Sequence, residues 1–310
     1  IKSDADMWNG CQGVAIHLRN CATASVGGTI QNVKSTDNNS VVVWCEMSSF
    51  ILEKGATIQD CKGTNKYGAI IYTVTNNNEE QKKNFYSSIT LNGAIMRCES
   101  SDSMIYIANL QTPFLIGELA QLTQNTGKRL IYDGTAANSE AEIEIRGTIV
   151  ENTCSVLFYG SNNGRPVILT GNAKVNNNDV TSAVFGFGTN RCIVMEASSE
   201  ICNNKVANGA VVAVNGEGNC FTMKGGSIFG NTVENGSLFA FTSGSWQQPS
   251  TLAIKGGTIS NNTVPRMFTI TSGGKVPGID SYLEVNAIDP DTYFQQDGKT
   301  VTVNPGTKLG

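Results

Sequence analysis

The chain has 310 residues, a formal net charge of −4, 40% hydrophobic residues and only 15% charged residues. This balance provides no basic stripe of the kind that nucleic-acid-binding proteins use, so we expect no nucleic-acid partner. No apolar run reaches the roughly 18 residues that a membrane-spanning helix requires, so we expect no membrane span. The chain begins at Ile1 and ends shortly after a strand-like segment, and we expect it to be a piece of a longer polypeptide.

A short motif recurs from one end of the chain to the other. It reads Gly-Gly-Thr-Ile at 27–30 and Gly-Gly-Thr-Ile-Ser-Asn-Asn at 256–262. The apolar anchors of its copies are Ile30, Ile58, Ile95, Leu122, Ile149, Val175, Ile201, Ile228 and Ile259. Most anchors are 26 to 28 residues apart, with two longer intervals of 37 and 31 residues. A fixed period of this size indicates one structural unit stacked repeatedly along an axis.

Each unit contains three strand-like segments and no helical periodicity. The anchor segment is followed by a polar pair, then by an apolar segment such as 69–72, then by a third segment such as 89–91. This pattern predicts an all-β fold, a right-handed parallel β-helix of about nine to ten rungs. We expect an N-terminal cap or first rung over 1–26, the β-helix over 27–285, and a C-terminal strand segment over 286–310 that continues in a longer native chain.

Asparagine recurs at the third position after the anchor. In a parallel β-helix, equivalent residues of successive rungs stack about 4.8 Å apart. Side-chain amides stacked in this way can bond to one another and to the backbone groups that a corner leaves unpaired. The predicted ladder consists of Asn125, Asn152, Asn178, Asn204, Asn231 and Asn262.

Nine cysteines and a single histidine, His17, argue against a zinc site, because no Cys-x-x-Cys spacing is present. We expect no metal and no cofactor. Stacked cysteines lie within the Cα range of a disulfide, and an extracellular chain would permit the bond. The possible pairs are Cys61 with Cys98, Cys192 with Cys220, and Cys11 with Cys21 in the cap. Unbonded cysteines stacked in the core are the alternative.

Two adjacent columns of the second segment are both apolar, although a half-exposed strand should alternate apolar and polar residues. The first column is Met104, Leu130, Val156, Val184, Val211, Leu238 and Met267, and the second is Ile105, Ile131, Leu157, Phe185, Val212, Phe239 and Phe268. We expect one column to form an exposed apolar stripe that contacts another copy of the protein or an adjacent domain. Packing under a loop is the alternative.

Two loops break the period, at 76–84 and 242–250, and both lie between the second and third segments. Insertions on one face of a repeat protein often mark its binding face, although long surface loops are also tolerated without a function. We expect these loops to bind a host or matrix glycan or protein. The candidate residues are Asn76, Asn77, Asn78, Glu79, Glu80, Lys82, Lys83, Trp246, Gln247 and Gln248.

Catalytic signals are weak. Glu142 and Glu144 alternate with apolar residues and share one face of a strand, and Arg146 follows them. Carboxylates two residues apart on a strand are about 7 Å apart, which allows an acid–base pair. A solvated charged face is the commoner explanation.

The segment Ile201-Cys-Asn-Asn-Lys-Val-Ala-Asn-Gly-Ala-Val-Val resembles the paired tetrapeptide repeats of chlamydial polymorphic outer-membrane proteins. The segments 228–238 and 58–70 are similar to further copies. The resemblance implies a noncatalytic β-helix at the cell surface or outside the cell, acting as an adhesin, a coat or a fibre module, with no catalytic residues to assign. A polysaccharide lyase or glycoside hydrolase, and a filament or virion subunit, are the alternatives.

Overall fold

A computed structural model describes sixteen ranges of the chain. They are 6–9, 14–19, 22–35, 41–64, 68–74, 88–107, 114–134, 142–161, 165–189, 191–215, 219–243, 251–254, 257–272, 283–285, 294–297 and 300–303. Within them every regular element is a β-strand, and all but the last two strands form three parallel sheets. The prediction of a parallel β-helix with three strands per rung is confirmed.

The first sheet contains the anchor residues and has ten strands. They are β1 (Asp6–Asn9), β4 (Thr29–Gln31), β8 (Thr57–Gln59), β12 (Ala94–Met96), β16 (Gln121–Thr123), β19 (Thr148–Val150), β22 (Lys174–Asn176), β25 (Glu200–Cys202), β28 (Ser227–Phe229) and β31 (Thr258–Ser260). From Ile30 to Ile259 every predicted anchor pairs with the next one in register. All nine are buried, so the repeat marks a continuous row of core residues.

The second sheet has thirteen strands, ten of them on its main path. Those ten are β2 (Ile16–Arg19), β6 (Val43–Glu46), β10 (Ile71–Val74), β14 (Ser103–Ile107), β17 (Thr126–Asp133), β20 (Thr153–Gly160), β23 (Asp179–Phe187), β26 (Lys205–Asn215), β29 (Thr232–Ser243) and β32 (Arg266–Ser272). Three short strands lie beside it: β5 (Lys34–Ser35), β9 (Lys62–Gly63) and β13 (Glu99–Ser100). From β17 to β29 the strands are 8 to 12 residues long, because the short and main segments have merged into one.

The third sheet again has ten strands. They are β3 (Thr23–Val26), β7 (Ser49–Leu52), β11 (Ser88–Leu91), β15 (Phe114–Ile116), β18 (Ile143–Ile145), β21 (Val167–Leu169), β24 (Cys192–Met195), β27 (Cys220–Met223), β30 (Thr251–Ile254) and β33 (Leu283–Val285). Near the C-terminus, β34 (Phe294–Asp297) and β35 (Thr300–Val303) pair as an antiparallel hairpin.

The corner after the first sheet combines a left-handed residue with a buried asparagine. The second residue after the anchor has a positive φ, for example 56° at Glu151 and 53° at Asn177. The asparagine that follows accepts bonds from the preceding rung, and its amide donates to an anchor carbonyl, as Asn178 does to Ile149 at 3.0 Å. Successive amides from Asn125 to Asn262 bond at 2.9–3.0 Å. The predicted asparagine ladder is confirmed, and its bonds offset the strain of the left-handed corner.

The predicted exposed apolar stripe is wrong. Both columns are buried wherever the structure describes their side chains, apart from the partly exposed Val156. Leu130 and Ile131 are consecutive and both inward, while Arg129 and Tyr132 on either side of them are partly exposed. In a straight strand successive side chains point to opposite faces. Two consecutive core residues do not fit this pattern, so we infer that the strand bends between Leu130 and Ile131.

The register of one rung was also mispredicted. Ile131 pairs with Phe158 rather than with Leu157, and Phe158 pairs with Phe185. β17 and β20 pair without a register shift, so the prediction had aligned β20 one residue out. A register shift does occur on the other side of β20, between its pairs Cys154–Val180 and Val156–Ala183 with β23.

The cysteine pairs have different states. Cys192 and Cys220 are bonded, with their Cα atoms 4.4 Å apart, and join the first residues of β24 and β27. Cys61 and Cys98 are free and buried. Burial, together with a hydrogen bond to Cys61, raises the pKa of the Cys98 thiol. The predicted disulfide is therefore present between Cys192 and Cys220, whereas Cys61 and Cys98 follow the alternative of unbonded cysteines in the core. Cys11 and Cys21 lie outside the described residues.

Candidate functional site

A ladder of aromatic rings runs along the outside of the second sheet. Equivalent positions of six successive strands, β2 to β20, pair in register. They are occupied by His17, Trp44, Tyr72, Tyr106, Tyr132 and Tyr159. Neighbouring ring centroids are 4.6 to 5.7 Å apart, within the range of favourable aromatic pairs. In the next three strands the same position holds Gly186, Ala213 and Ala240.

A groove lies where the last three tyrosines of this ladder meet the corner of the second sheet. We call it the tyrosine groove. Its volume is about 670 Å³, which is in the range of small-ligand sites. Its lining residues come from four successive strands and one adjoining turn: Asp102, Tyr106, Lys128, Arg129, Tyr132, Ser155, Val156, Tyr159 and Ser182.

Arg129 joins the two sides of the groove. Its guanidinium lies 4.7 Å from the ring centroid of Tyr132 and 5.2 Å from that of Tyr159. These distances are typical of cation–π contacts. The same guanidinium lies 3.4 Å from the carboxylate of Asp102, and its side chain is only 19% exposed. Arg129 is therefore held in one position before any ligand arrives.

Lys128 is the more accessible cation of the groove. Its side chain is 60% exposed, and its Nζ lies 4.0 Å from Asp102, at the outer limit of ion pairing. With one carboxylate between two cations, the described charges of the groove sum to one excess positive charge. Burial, followed by the neighbouring Tyr132, raises the pKa of Tyr106, so this phenol keeps its proton at neutral pH. The groove thus offers rings, hydroxyls and a cation, which suits the binding of a polar, ring-bearing anion.

The predicted catalytic residues lie on another surface. Glu144 projects from β18 in the third sheet and pairs with Arg146 at 2.8 Å. Glu142 is exposed just before this strand. The cluster therefore has the geometry of a solvated charged face. His17 begins the aromatic ladder. Its ring centroid lies 5.5 Å from that of Trp44, with the rings tilted by 49°, and its Nε2 accepts a hydrogen bond from Arg19. Burial and the adjacent Arg19 lower the pKa of His17.

A second charged cluster is fully buried. Arg191 contacts the carboxylate of Asp133 at 2.7 Å, and Arg165 lies 3.6 Å from it. Arg191 also donates to the backbone oxygens of Asp133 and Ser161. Burial is the main cause that lowers the pKa of Arg165. Through these bonds Arg191 links the C-terminal ends of β17 and β20. Because the side chains of the cluster are inaccessible, it offers no surface to a ligand.

The predicted binding loops lie outside the described residues. This holds for all candidates at 76–83 and for Trp246, Gln247 and Gln248. The tyrosine groove itself was missed by sequence reasoning, although a signal was present. Aromatic residues and one histidine recur at intervals of 27, 28, 34, 26 and 27 residues. These intervals follow the period of the anchors, so the spacing of the aromatic residues was sufficient to predict the ladder.

The part of the chain that the structure describes contains no helix with the length and apolar character needed to cross a membrane. Among the same residues, no three or more histidine, cysteine, aspartate or glutamate side chains are grouped so that they could hold a metal ion. Comparison with known protein-family models, curated proteins and solved structures found no match for this chain.

Proposed function

We propose that this chain is a noncatalytic glycan-binding module of a cell-surface or extracellular protein, with the tyrosine groove as its ligand site. The main observation in support of this proposal is a groove of about 670 Å³ whose lining includes three tyrosines, two cationic side chains and two serines. Tyrosine provides large contact area with little side-chain entropy to lose, and its hydroxyl can bond to a polar ligand. Sugar rings have apolar C–H faces and hydroxyl edges, which match these two properties.

The scaffold supports this proposal because it holds the groove rigidly. The lining residues stand on strands that are paired on both sides within the second sheet. The asparagine ladder stabilises the neighbouring corner through every rung from Asn125 to Asn262. A site that is already ordered loses little conformational entropy on binding. A β-solenoid is thus a suitable support for an adhesin that recognises its ligand by shape and repeated contact.

The chemistry of the groove favours binding over catalysis. Most glycoside hydrolases use two carboxyl groups that flank the scissile bond. Asp102 is the one carboxylate among the described lining residues, and it lies near two cations. A tyrosine base would need a lowered pKa, and the pKa of Tyr106 is raised.

Two observations support the proposed location. The Cys192–Cys220 disulfide is a bond that persists in oxidising compartments. The repeats resemble those of chlamydial surface proteins, which are β-helix passengers. An extracellular binding module accounts for both.

The proposal is tested by applying the purified protein to a glycan array and measuring the affinity of the strongest ligand by calorimetry. We expect Tyr132→Ala and Tyr159→Ala to weaken binding at least about tenfold, or 1.4 kcal/mol, because each removes an aromatic contact. Glu144→Gln on the third sheet is the control and should bind like the wild type. Circular dichroism checks that each variant is folded.

Two results would overturn the proposal. The first is glycan binding that is unchanged in both tyrosine variants, which would place the site elsewhere. The second is release of new reducing or unsaturated ends from a bound glycan, abolished by Glu144→Gln. That result would favour the lyase or hydrolase alternative.

A further inference from the structure

We infer that the tyrosine groove takes an acidic linear oligosaccharide, running parallel to the solenoid axis, with one uronic acid carboxylate bound between Lys128 and Arg129. This inference rests on the proposed glycan-binding function and names the class of ligand. It follows from the direction of the groove, from its excess charge and from the pairing of the backbone beneath it.

The lining of the groove extends along the solenoid axis across four successive strands. Tyr106, Tyr132 and Tyr159 occupy one column and come from three successive strands, and Ser182 extends the lining to a fourth. Successive strands are about 4.8 Å apart, so four strands cover roughly 14 Å. This length exceeds a single sugar ring and suits several linked rings. Tyr106, Tyr132 and Tyr159 are each partly exposed, so each side chain has surface that a ligand can contact.

The charge of the groove selects an anion. Arg129 is oriented by Asp102 and by two tyrosine rings, and Lys128 stands beside it with most of its side chain in solvent. A carboxylate on the ligand would bond to the guanidinium edge and the ammonium group, and charge-assisted bonds of this kind are stronger than neutral ones. It would also balance the one excess positive charge of the groove.

The same charge argues against a densely charged polymer. At physiological ionic strength the screening length is about 8 Å, so a bound ligand responds mainly to the charges of the groove itself. A single local excess charge can neutralise one carboxylate at a time. Sparse carboxylates on a sugar chain fit this balance better than a heavily sulfated or phosphorylated chain.

A peptide is a poorer fit than a sugar chain. Extended peptides commonly bind by adding a strand to an unpaired sheet edge. The strands β14, β17 and β20 beneath the groove are each paired to the next in register, so they lie in the interior of the sheet. An oligosaccharide needs no backbone partner, and its hydroxyls can bond to Ser155, Ser182 and the tyrosine hydroxyls.

The test uses the whole chain and two acidic hexasaccharides, one from polygalacturonate and one of alternating glucuronate and N-acetylglucosamine. Each is compared with its carboxyl-reduced, neutral form by isothermal titration calorimetry. We expect at least one acidic hexasaccharide to bind about tenfold tighter than its neutral form. We also expect this preference to shrink when salt is raised from about 50 mM to about 500 mM, because salt screens exposed charges.

Lys128→Ala is the diagnostic variant. It should lower affinity for the acidic ligand about two- to fivefold, the range of an exposed ion pair, and lower affinity for the neutral form by a smaller factor. Lys174→Ala is the matched control, because its side chain is similarly exposed, pairs with Glu200 at 3.5 Å and lies on the first sheet. It should leave both affinities unchanged.

The outcomes separate this inference from the proposed function. Equal affinity for acidic and neutral forms would overturn the acidic-ligand inference, while binding that depends on Tyr132 would keep the glycan-binding function. Failure of both hexasaccharides to bind would overturn the inference as well. Failure of every glycan on the array would overturn the function itself.

Discussion

Replacing Asn178 by alanine tests whether the asparagine ladder stabilises the fold. Asn178 is 1% exposed and lies in the middle of the ladder. Its Oδ1 accepts from the backbone N–H of Asn152 at 3.0 Å and from the side-chain amide of Asn152 at 2.9 Å. Its own amide donates to the carbonyl of Ile149 at 3.0 Å and to Asn204 at 2.9 Å.

The magnitude follows from the groups that alanine would leave unpaired. The N–H of Asn152 loses the acceptor, and the carbonyl of Ile149 loses the amide donor. Leaving a buried polar group unsatisfied costs about 1–3 kcal/mol, so we expect a loss of about 4 kcal/mol in the free energy of unfolding. Asn262→Ala is the control. Asn262 ends the described ladder and is partly exposed, so water can replace its bonds. Its loss should be about 1 kcal/mol.

The measurement is urea unfolding followed by far-UV circular dichroism, with the free energy of unfolding obtained by linear extrapolation. Hydrogen exchange of the Asn152 amide provides a local readout, because this N–H should exchange faster in Asn178→Ala. If Asn178→Ala loses no more stability than Asn262→Ala, the ladder is a consequence of the fold and does not stabilise it.

Three further predictions concern the scaffold. Cys192→Ser removes a disulfide that spans 28 residues, and thermal unfolding should show a loss of about 3–4 kcal/mol that reductant reproduces in the wild type. Burial raises the pKa of Cys45 to about 12, so the unfolded chain releases this proton first, at its ordinary pKa of about 8.5. Stability should hold below that pH and fall by up to about 1.4 kcal/mol per pH unit toward pH 12, with a shallower fall in Cys45→Ala. Gly236→Ala places a Cβ against the carbonyl oxygen of Gly209 at a φ of 139°, and should lose about 3 kcal/mol or more in urea unfolding. Gly55→Ala, with a φ of 80° and nothing within 4 Å of the new Cβ, should lose only about 1 kcal/mol.

The period of the anchors was sufficient to predict the parallel β-helix, and the position of asparagine after the anchor was sufficient to predict the ladder. Both depend on neighbouring residues and on a constant spacing, which are visible in a linear sequence. A buried anchor such as Ile149 and a corner amide such as Asn152 recur in every later rung because each rung packs only on its neighbours. The stacked Cys192 and Cys220 were identified by the same reasoning.

The apolar columns were misinterpreted because a straight strand was assumed. Leu130 and Ile131 are consecutive and both lie in the buried core, which the alternation of a straight strand does not allow. Regular pairing of β17 with β20 also places Phe158, one residue beyond the expected Leu157, beside Ile131. The register between strands depends on how one strand lies on the next, so residue spacing within a single strand does not reveal it.

The amino-acid sequence alone therefore determined the class of fold, the row of core anchors and the hydrogen-bonded corner. Each follows from a local pattern repeated at one period. The tyrosine groove could be identified only in the tertiary structure, because its lining residues come from different rungs. Lys128 and Arg129 are sequence neighbours of Tyr132, but Asp102 and Tyr159 are about one repeat away on either side. Only the packed strands bring the guanidinium of Arg129 over two rings and beside one carboxylate.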